Sequence, residues 1–321
     1  MMCSRVLPVL LSLCIVHSAS AAKCMLVMSY QQGYAWNDGV QKGVESILAG
    51  KCELKIFYMD AKHNKTPEHA RAMAKAAKKL IDEYKPNVLI ASDDYASRYL
   101  VSKYYKNTGL AVVFCGVNWN VSKYGYPYKN VTGMIEVAPI QPLIEVSKKI
   151  LGEIKNVVYL GADTLSEHKN SRRIVTVLRR QGIAVEVSLV TSTDDWKKTF
   201  INSQMADVII LGSNAGIAGW HNKEMAAFVR MQAKKMIVTN HSWMAPFSMY
   251  AMTKIPEEQG EWAAEAAMAI VRGLSPAKIP IRVNRKWQTY INSPLLQKIG
   301  IKLNKKDFKN YIEVGGRSQL D

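Results

Sequence analysis

The sequence predicts an α/β protein made of two similar lobes, each built around a parallel sheet. Apolar stretches typical of buried strands alternate with stretches of helical spacing along most of the 321 residues. Strands that alternate with helices indicate βαβ units and a parallel sheet. The pattern also occurs twice, because the third strands of the two halves are alike, PNVLIASDD at 86–94 and ADVIILGSN at 206–214. The length fits about two domains.

The first lobe is predicted from four strands and three helices between residues 25 and 115. The second helix is the clearest, because Thr66 is a suitable N-cap, Pro67 fits the first helical position and Pro86 lies just beyond the end. The predicted strands are Met25–Ser29, Leu54–Met59, Val88–Ala91 and Leu110–Cys115, and the other two helices are Trp36–Leu48 and Asp94–Tyr105.

The second lobe repeats the alternation between residues 156 and 239. Gly182 ends its first helix, and Thr193 caps the second. The predicted strands are Asn156–Leu160, Ala184–Val190, Asp207–Leu211 and Met236–Thr239, and the helices are Ser171–Arg180, Asp194–Ile201 and Met225–Ala233.

The C-terminal part does not simply extend the second lobe. A long helix is predicted from Pro256 to the stop at Gly273. Strands at Lys278–Val283 and Thr289–Ile291 and a short helix at Pro294–Lys298 follow it.

Residues 1–22 are predicted to be a secretory signal peptide. Arg5 supplies the positive start, Val6–Val16 is a short apolar run, and Ser18–Ala22 offers small residues for cleavage. The alternative is a membrane anchor, but the run is shorter than the ~20 residues that span a bilayer. The mature chain, from about Lys23, is therefore expected to be soluble and exported.

The net charge of +17 is the unusual feature of the composition. It could indicate nucleic acid, an anionic membrane surface or an acidic ligand. Export argues against nucleic acid, and most lysines fall opposite apolar helix faces, where they are solvated. The candidate site described below contains more acidic than basic residues, so a cationic or zwitterionic ligand is expected.

Three cysteines remain after the signal peptide is removed. Cys24 and Cys52 open two successive predicted strands. If these strands are adjacent and parallel, both cysteines lie at the same sheet end, and an oxidising compartment permits a disulfide. Two unpaired thiols are the alternative. Cys115 is expected to be a small buried apolar residue.

Motifs of catalysis and of cofactor binding are absent from the sequence. It contains no phosphate-binding loop, dinucleotide-binding glycine motif, nucleophile elbow, zinc-protease motif or C-x-x-C. His63 and His69 have no recurrent zinc spacing. The chain is therefore expected not to be an enzyme and to hold neither cofactor nor metal.

The predicted strands end in polar residues with aromatic rings nearby, a composition typical of small-molecule clefts. Each polar residue could instead be ordinary loop or cap chemistry. The candidate ligand-binding residues at the strand ends are Ser29, Tyr30, Gln31, Asp60, Ser92, Asp93, Asn118, Trp119, Asp163, Ser213, Asn214 and Asn240, with Trp36 as a further ring.

Four segments resemble a known family when taken in order. They are AVVFCGVN at 111–118, NVTGMIE at 130–136, NVVYLGAD at 156–163 and INSPLLQKIGIKL at 291–303. Together they resemble the type I periplasmic binding proteins, specifically the substrate-binding family of ABC transporters that includes tryptophan- and tyrosine-binding members. Glu167 with Asn170–Ser171 resembles a turn of this family, and the resemblance adds Asn170 to the candidate site.

The resemblance implies two Rossmann-like lobes joined by a hinge of three crossovers, near Val137–Pro139, Ser248–Pro256 and Ile281–Lys286. The N-terminal lobe would comprise 23–137 plus about 250–280, and the C-terminal lobe 138–249 plus about 281–321.

The function implied is capture of a small polar or aromatic molecule, such as an amino acid, by a monomer that delivers it to an ABC permease. Ser29, Ser92, Asn118, Ser213 and Asn214 would bond the ligand, and Trp36 or Trp119 would stack on it. The alternative is a ligand-sensing partner of a membrane histidine kinase, and an exported enzyme is a third possibility.

Overall fold

The structure is a computed structural model that describes residues 22–64, 66–304, 308 and 310–315. The strands are β1 (Ala22–Met28), β2 (Cys52–Tyr58), β3 (Val88–Ser92), β4 (Ala111–Asn118), β5 (Val131–Glu136), β6 (Asn156–Ala162), β7 (Ala184–Val190), β8 (Val208–Leu211), β9 (Met236–Thr239), β10 (Tyr250–Lys254), β11 (Arg282–Val283), β12 (Trp287–Ile291) and β13 (Tyr311–Glu313). The α-helices are α1 (Ala35–Leu48), α2 (Pro67–Tyr84), α3 (Asp93–Tyr95), α4 (Ser102–Tyr104), α5 (Ile140–Leu151), α6 (Leu165–Arg179), α7 (Thr193–Asn202), α8 (Asn222–Gln232), α9 (Pro256–Val271) and α10 (Ser293–Lys298).

The strands form two separate sheets, one in each lobe. The first sheet has the order β11-β5-β4-β3-β1-β2, and the second has the order β13-β12-β10-β9-β8-β6-β7. All neighbouring pairs are parallel except β10 and β12. Helices bury the apolar faces of both sheets. The predicted fold class is confirmed.

The chain passes between the lobes three times, at 137–139, at 255 and at 284–286. The first lobe therefore contains 22–136 and 256–283, and the second contains 140–254 and 287–313. Two boundaries differ from the expected ones. Residues 250–254 are strand β10 of the second sheet, paired with β9 and β12, and β11 belongs to the first sheet because it pairs with β5.

Several elements also differ from their predicted form. The expected helix at 94–105 begins one residue earlier and contains a π-helical stretch, Ala96–Val101, between α3 and α4. The expected strand at 278–283 is reduced to the two residues of β11. Pro280 precedes it and has no backbone N–H for a sheet ladder.

Helices α1 and α9 pack in direct backbone contact on the first sheet. A Cβ atom on Gly43 would overlap the backbone of Glu257, and one on Gly260 would overlap the backbone of Val40. Glycine is required at both positions because the helices approach too closely for any side chain. This contact attaches α9, which follows the second crossover, to the lobe formed by the N-terminal part of the chain.

Cys24 and Cys52 form a disulfide between β1 and β2, with Cα atoms 5.9 Å apart. The strands are neighbouring and parallel, and Cys52 lies beside Ala22, two residues before Cys24. The disulfide therefore runs diagonally from the edge strand β2 to its neighbour β1. Cys115 is a free thiol buried in β4.

The predicted signal peptide lies outside the described residues, apart from Ala22, which is the first residue of β1. Among the residues that the structure describes, no helix is both long and apolar enough to cross a bilayer.

Candidate ligand-binding cleft

A cleft of about 570 Å³ lies between the lobes, at the carboxyl ends of strands from both sheets. This is where open parallel sheets bind ligands. The first lobe contributes residues that follow or end β1, β3, β4 and β5, and the second contributes α6 and the ends of β9 and β10. The lining residues are Tyr30, Tyr34, Ala35, Trp36, Lys62, Asp93, Asn118, Trp119, Glu136, Ala138, Asn170, Ile174, Asn240, His241, Ser242, Trp243, Thr253, Lys254 and Pro256.

Half of the candidate residues line this cleft. They are Tyr30, Trp36, Asp93, Asn118, Trp119, Asn170 and Asn240. The structure brings them together because the carboxyl ends of parallel strands lie at the same end of a sheet. These ends of the two sheets face each other across the cleft. A role in ligand binding stays a prediction for each of them.

Three of the other candidates have structural partners away from the cleft. The Ser29 hydroxyl donates to the carbonyl of Ser92 at 2.5 Å and accepts from the Ala96 amide at 2.9 Å. It therefore already donates one hydrogen bond and accepts another within the protein. The Asp60 carboxylate lies 2.8 Å from His63 Nδ1, and the Asp163 carboxylate lies 2.7 Å from His168 Nε2.

The remaining candidates, Gln31, Ser92, Ser213 and Asn214, also lie outside the cleft lining. Gln31 accepts a bond from Asn37 through its backbone carbonyl, at 3.4 Å. The Ser213 hydroxyl accepts from the Ala215 amide at 3.1 Å and organises the local turn. The carbonyl of Asn214 accepts from the Ile217 amide in the same turn. Ser92 is fully buried, with its hydroxyl directed at Asp93.

The expected excess of acid in the cleft is therefore wrong. Asp60 and Asp163, which contributed to that expectation, lie elsewhere, and the charged lining residues are Asp93 and Glu136 with Lys62 and Lys254. Sequence reasoning missed both lysines and Glu136. Lys254 could have been identified from its position in the predicted crossover Ser248–Pro256, because crossovers pass along the floor of a cleft between two lobes.

Glu136 and Lys254 form an ion pair across the lobes. Glu136 ends β5 of the first sheet, Lys254 ends β10 of the second, and the carboxylate is almost fully buried. The Lys254 ammonium also lies 5.1 Å from the centre of the Trp36 ring. The pair joins the first two crossovers at the floor of the cleft.

The third crossover is tied to the other two by buried side chains. The Asn284 side chain accepts from the Val137 amide at 2.8 Å and donates to the Val137 carbonyl at 3.3 Å. The Glu258 carboxylate accepts from the amides of Arg285 and Lys286 at 2.8 and 2.9 Å. All three crossovers are thus held at one side of the cleft.

Asn170 is oriented by a buried carboxylate of the second lobe. Glu167 accepts from Asn170 Nδ2 at 3.1 Å, from the Ser213 amide at 3.0 Å and from the Tyr159 hydroxyl. Burial and the Glu167 charge raise the pKa of Tyr159 well above its usual value, so the phenol stays protonated and continues to donate. Glu167 thereby fixes the α6 residue that faces the ligand space.

Aromatic rings form much of the cleft wall. The Lys62 ammonium lies 4.5 Å from the Tyr30 ring centre and 4.9 Å from that of Tyr34. The Arg173 guanidinium of the second lobe lies 5.2 Å from the ring centre of Trp119 in the first. Such walls suit flat or cationic groups, which interact favourably with ring faces.

Three polar atoms of lining residues are buried with no hydrogen-bond partner in the described ranges, Trp36 Nε1, Asn240 Oδ1 and His241 Nε2. Burial lowers the pKa of His241 to about 4, so its imidazole is neutral at ordinary pH. An unsatisfied buried polar atom costs free energy, and its presence in a cavity wall is typical of a site that a ligand completes. No cluster suited to a metal ion occurs in the described part of the chain.

The sequence from residue 24 to 313 matches the family model described as ABC transporter substrate binding protein. No curated protein matches the chain.

Solved structures show the same fold. A substrate-binding protein with adhesive properties from Clostridium difficile, in its ligand-free, open form, is 13% identical with a TM-score of 0.70, covering 92% of this chain and all of that one. An ABC domain from Streptococcus pneumoniae in complex with L-Trp is 18% identical with a TM-score of 0.58, with the same coverage. An arabinose-binding protein from Geobacillus stearothermophilus is 13% identical with a TM-score of 0.56, covering 86% of this chain and 99% of that one.

Proposed function

The chain belongs to the ABC transporter substrate-binding protein family, and from that premise we propose that it is an exported solute-binding protein. It captures one small polar or aromatic molecule between its lobes, amino acids being the first candidates, and delivers it to an ABC permease. Proteins of this family are extracytoplasmic and are not enzymes. We accordingly assign the chain a periplasmic location, a monomeric state and no catalytic step.

The observation that carries this proposal is the wall of the cleft between the lobes. It combines ring faces with buried polar atoms that lack partners among the described residues, Trp36 Nε1, Asn240 Oδ1 and His241 Nε2. A pocket of this volume with aromatic walls and a few fixed polar groups suits a small solute. Three structures that share the fold were solved with L-Trp, with L-rhamnose and with 4-hydroxybenzoate, so the fold accommodates aromatic and polar molecules.

The ligand is captured when the two lobes close on it about the hinge of three crossovers. Residues from both lobes line one cleft, so a ligand that touches both binds the closed arrangement better than an open one. A ligand shifts such an equilibrium only by its difference in affinity for the two states. The permease would then recognise the closed, loaded form.

The test is a thermal-shift screen of the mature protein against amino acids, amines, purine derivatives, sugars and aromatic acids. A ligand at one hundred times its Kd stabilises the folded state by about 2.7 kcal/mol, which shifts the melting temperature measurably. Mass spectrometry of small molecules that co-purify with the protein identifies the ligand independently. The proposal fails if no compound stabilises the protein and none co-purifies.

A further inference from the structure

Asp93 is the most deeply buried charged residue of the cleft wall. It follows directly after β3, lines the cleft, and is only 2% exposed. Its backbone has a φ of 72°, in the left-handed region. Residues other than glycine seldom adopt this conformation, and it often marks functional sites. The strand end therefore holds a carboxyl group at the floor of the cleft in an uncommon backbone conformation.

Two other carboxylates lie near Asp93, and each has its own lysine. Glu136 pairs with Lys254. Asp94 lies 2.9 Å from the Lys123 ammonium and also accepts from the Tyr124 hydroxyl at 2.5 Å. Both charges are therefore balanced within the protein.

Asp93 has no such partner. Among the described residues no lysine, arginine or histidine lies within ion-pair distance of it, and its side chain accepts one hydrogen bond, from the Ser92 hydroxyl at 3.1 Å. Burial and the charges of Glu136 and Asp94 raise its pKa well above the usual value. The negative potential that opposes ionisation of Asp93 would stabilise a positive charge placed beside it.

The surroundings also suit such a charge. Tyr30 lines the same part of the cleft, and the charge of Asp93 contributes to the raised pKa of its phenol. Aromatic faces attract cations that have lost their water, and the Lys62 ammonium already lies over the Tyr30 and Tyr34 rings. The lack of a side chain at Gly116 lets the Asp93 carboxyl pack against β4, since a Cβ there would lie 3.1 Å from it.

We propose that Asp93 is the counter-ion for a cationic nitrogen of the captured molecule, so that the ligand is an amine or another compound with a positively charged nitrogen. This inference rests on the proposed function and specifies the chemistry of the ligand at one place in its site. The ligand's nitrogen donates to the Asp93 carboxylate, and the aromatic walls hold the rest of the molecule.

The experiment compares matched solutes that differ only at this nitrogen. The probes are tyramine with tyrosol, tryptamine with tryptophol, and phenylalanine, tyrosine and tryptophan with their α-hydroxy acids, added to the library used for the thermal-shift screen. Isothermal titration calorimetry then gives the affinity of each solute that stabilises the protein.

Asp93→Asn is the test variant, because asparagine keeps the shape of the side chain and tolerates the left-handed backbone. Asp82→Asn is the matched control, since Asp82 loses the same charge on the outer face of α2, where it pairs with Lys78. We expect hits only among solutes with a cationic nitrogen. Asp93→Asn should weaken their binding by about thirtyfold or more, while Asp82→Asn leaves it unchanged.

Two results overturn the inference and leave the proposed function intact. One is a neutral or anionic solute that binds as well as its cationic counterpart. The other is a cationic solute that Asp93→Asn binds as tightly as the wild type. The comparison of solutes uses the wild-type protein alone, so it decides the matter even if the variant does not fold. Absence of any hit in the whole library overturns the proposed function and this inference with it.

Discussion

At the scale of single residues, the cleft is organised by which charges are balanced and which are not. Glu136 has Lys254, and Asp94 has Lys123, while in the described part of the chain the only side-chain partner of Asp93 is the Ser92 hydroxyl. An ionised carboxylate that is buried without a counter-ion destabilises the folded state. The ligand-free protein therefore carries a local instability at the place where a ligand would relieve it.

Asp93→Asn should stabilise the ligand-free protein at pH 7. The folded-state pKa of Asp93 is raised, so its contribution to stability is present at low pH and is lost as pH rises through that pKa. We expect the variant's free energy of unfolding to exceed the wild type's by about 1 kcal/mol or more at pH 7.

Chemical denaturation at several pH values measures this difference. It should be small near pH 4 and grow as pH rises. The titratable groups that face Asp93 are Glu136, Asp94, Lys254, Cys115 and Tyr30, and they are the same in both proteins. A variant that is less stable than the wild type at pH 7 would contradict the expected destabilisation by the buried charge.

At the scale of elements, the contact between α1 and α9 decides where the C-terminal part of the chain joins the first lobe. Gly43 and Gly260 bring the helix backbones together. The long helix was predicted from its sequence, because Pro256, Gly273 and the apolar face are local signals. The packing of this helix against α1 was not predicted, because the close fit of Gly43 and Gly260 against the facing backbones depends on both helices at once.

Gly260→Ala should destabilise the protein by about 2 kcal/mol, because an added Cβ overlaps the Val40 backbone and the helices must separate. Gly109→Ala is the control, since a Cβ there meets nothing within 4 Å. We expect the control to change the free energy of unfolding by less than about 0.5 kcal/mol. Equal stability of the two variants, measured by urea denaturation, would show that the helices can separate at no cost.

At the scale of the whole molecule, two lobes share one cleft and three crossovers. Trp119 of the first lobe packs against the core of the second, beneath the Arg173 guanidinium. A movement that separates the lobes must break this contact. The crossovers themselves stay linked through Asn284 and Glu258, which favours rotation about one side of the cleft.

A solute that stabilises the protein should therefore reduce its radius of gyration in solution. The reason is that a ligand bound to both lobes selects the closed arrangement. Small-angle X-ray scattering with and without saturating solute measures the change, and a library compound that causes no thermal shift is the control. An unchanged radius of gyration at saturation would contradict closure of the lobes by the ligand.

The sequence by itself determined the fold class and seven of the nineteen residues that line the cleft. Strand and helix periodicity and caps such as Thr66 are local signals, readable within a few residues. Polar residues at strand ends led to Asp93, Asn118 and Asn240 because parallel strands end at one edge. The same rule also selected Ser29 and Asp163, whose side chains bond to neighbours instead.

Only the tertiary structure decided the charge balance of the cleft. Glu136 and Lys254 are 118 positions apart and meet because the first two crossovers run side by side. The same arrangement gives Asp93 no counter-ion among the residues that the structure describes, although its neighbour Asp94 has one. The physical reason is that the pairing of charges depends on distance and burial in three dimensions, whereas periodicity and residue type record only what each segment prefers on its own.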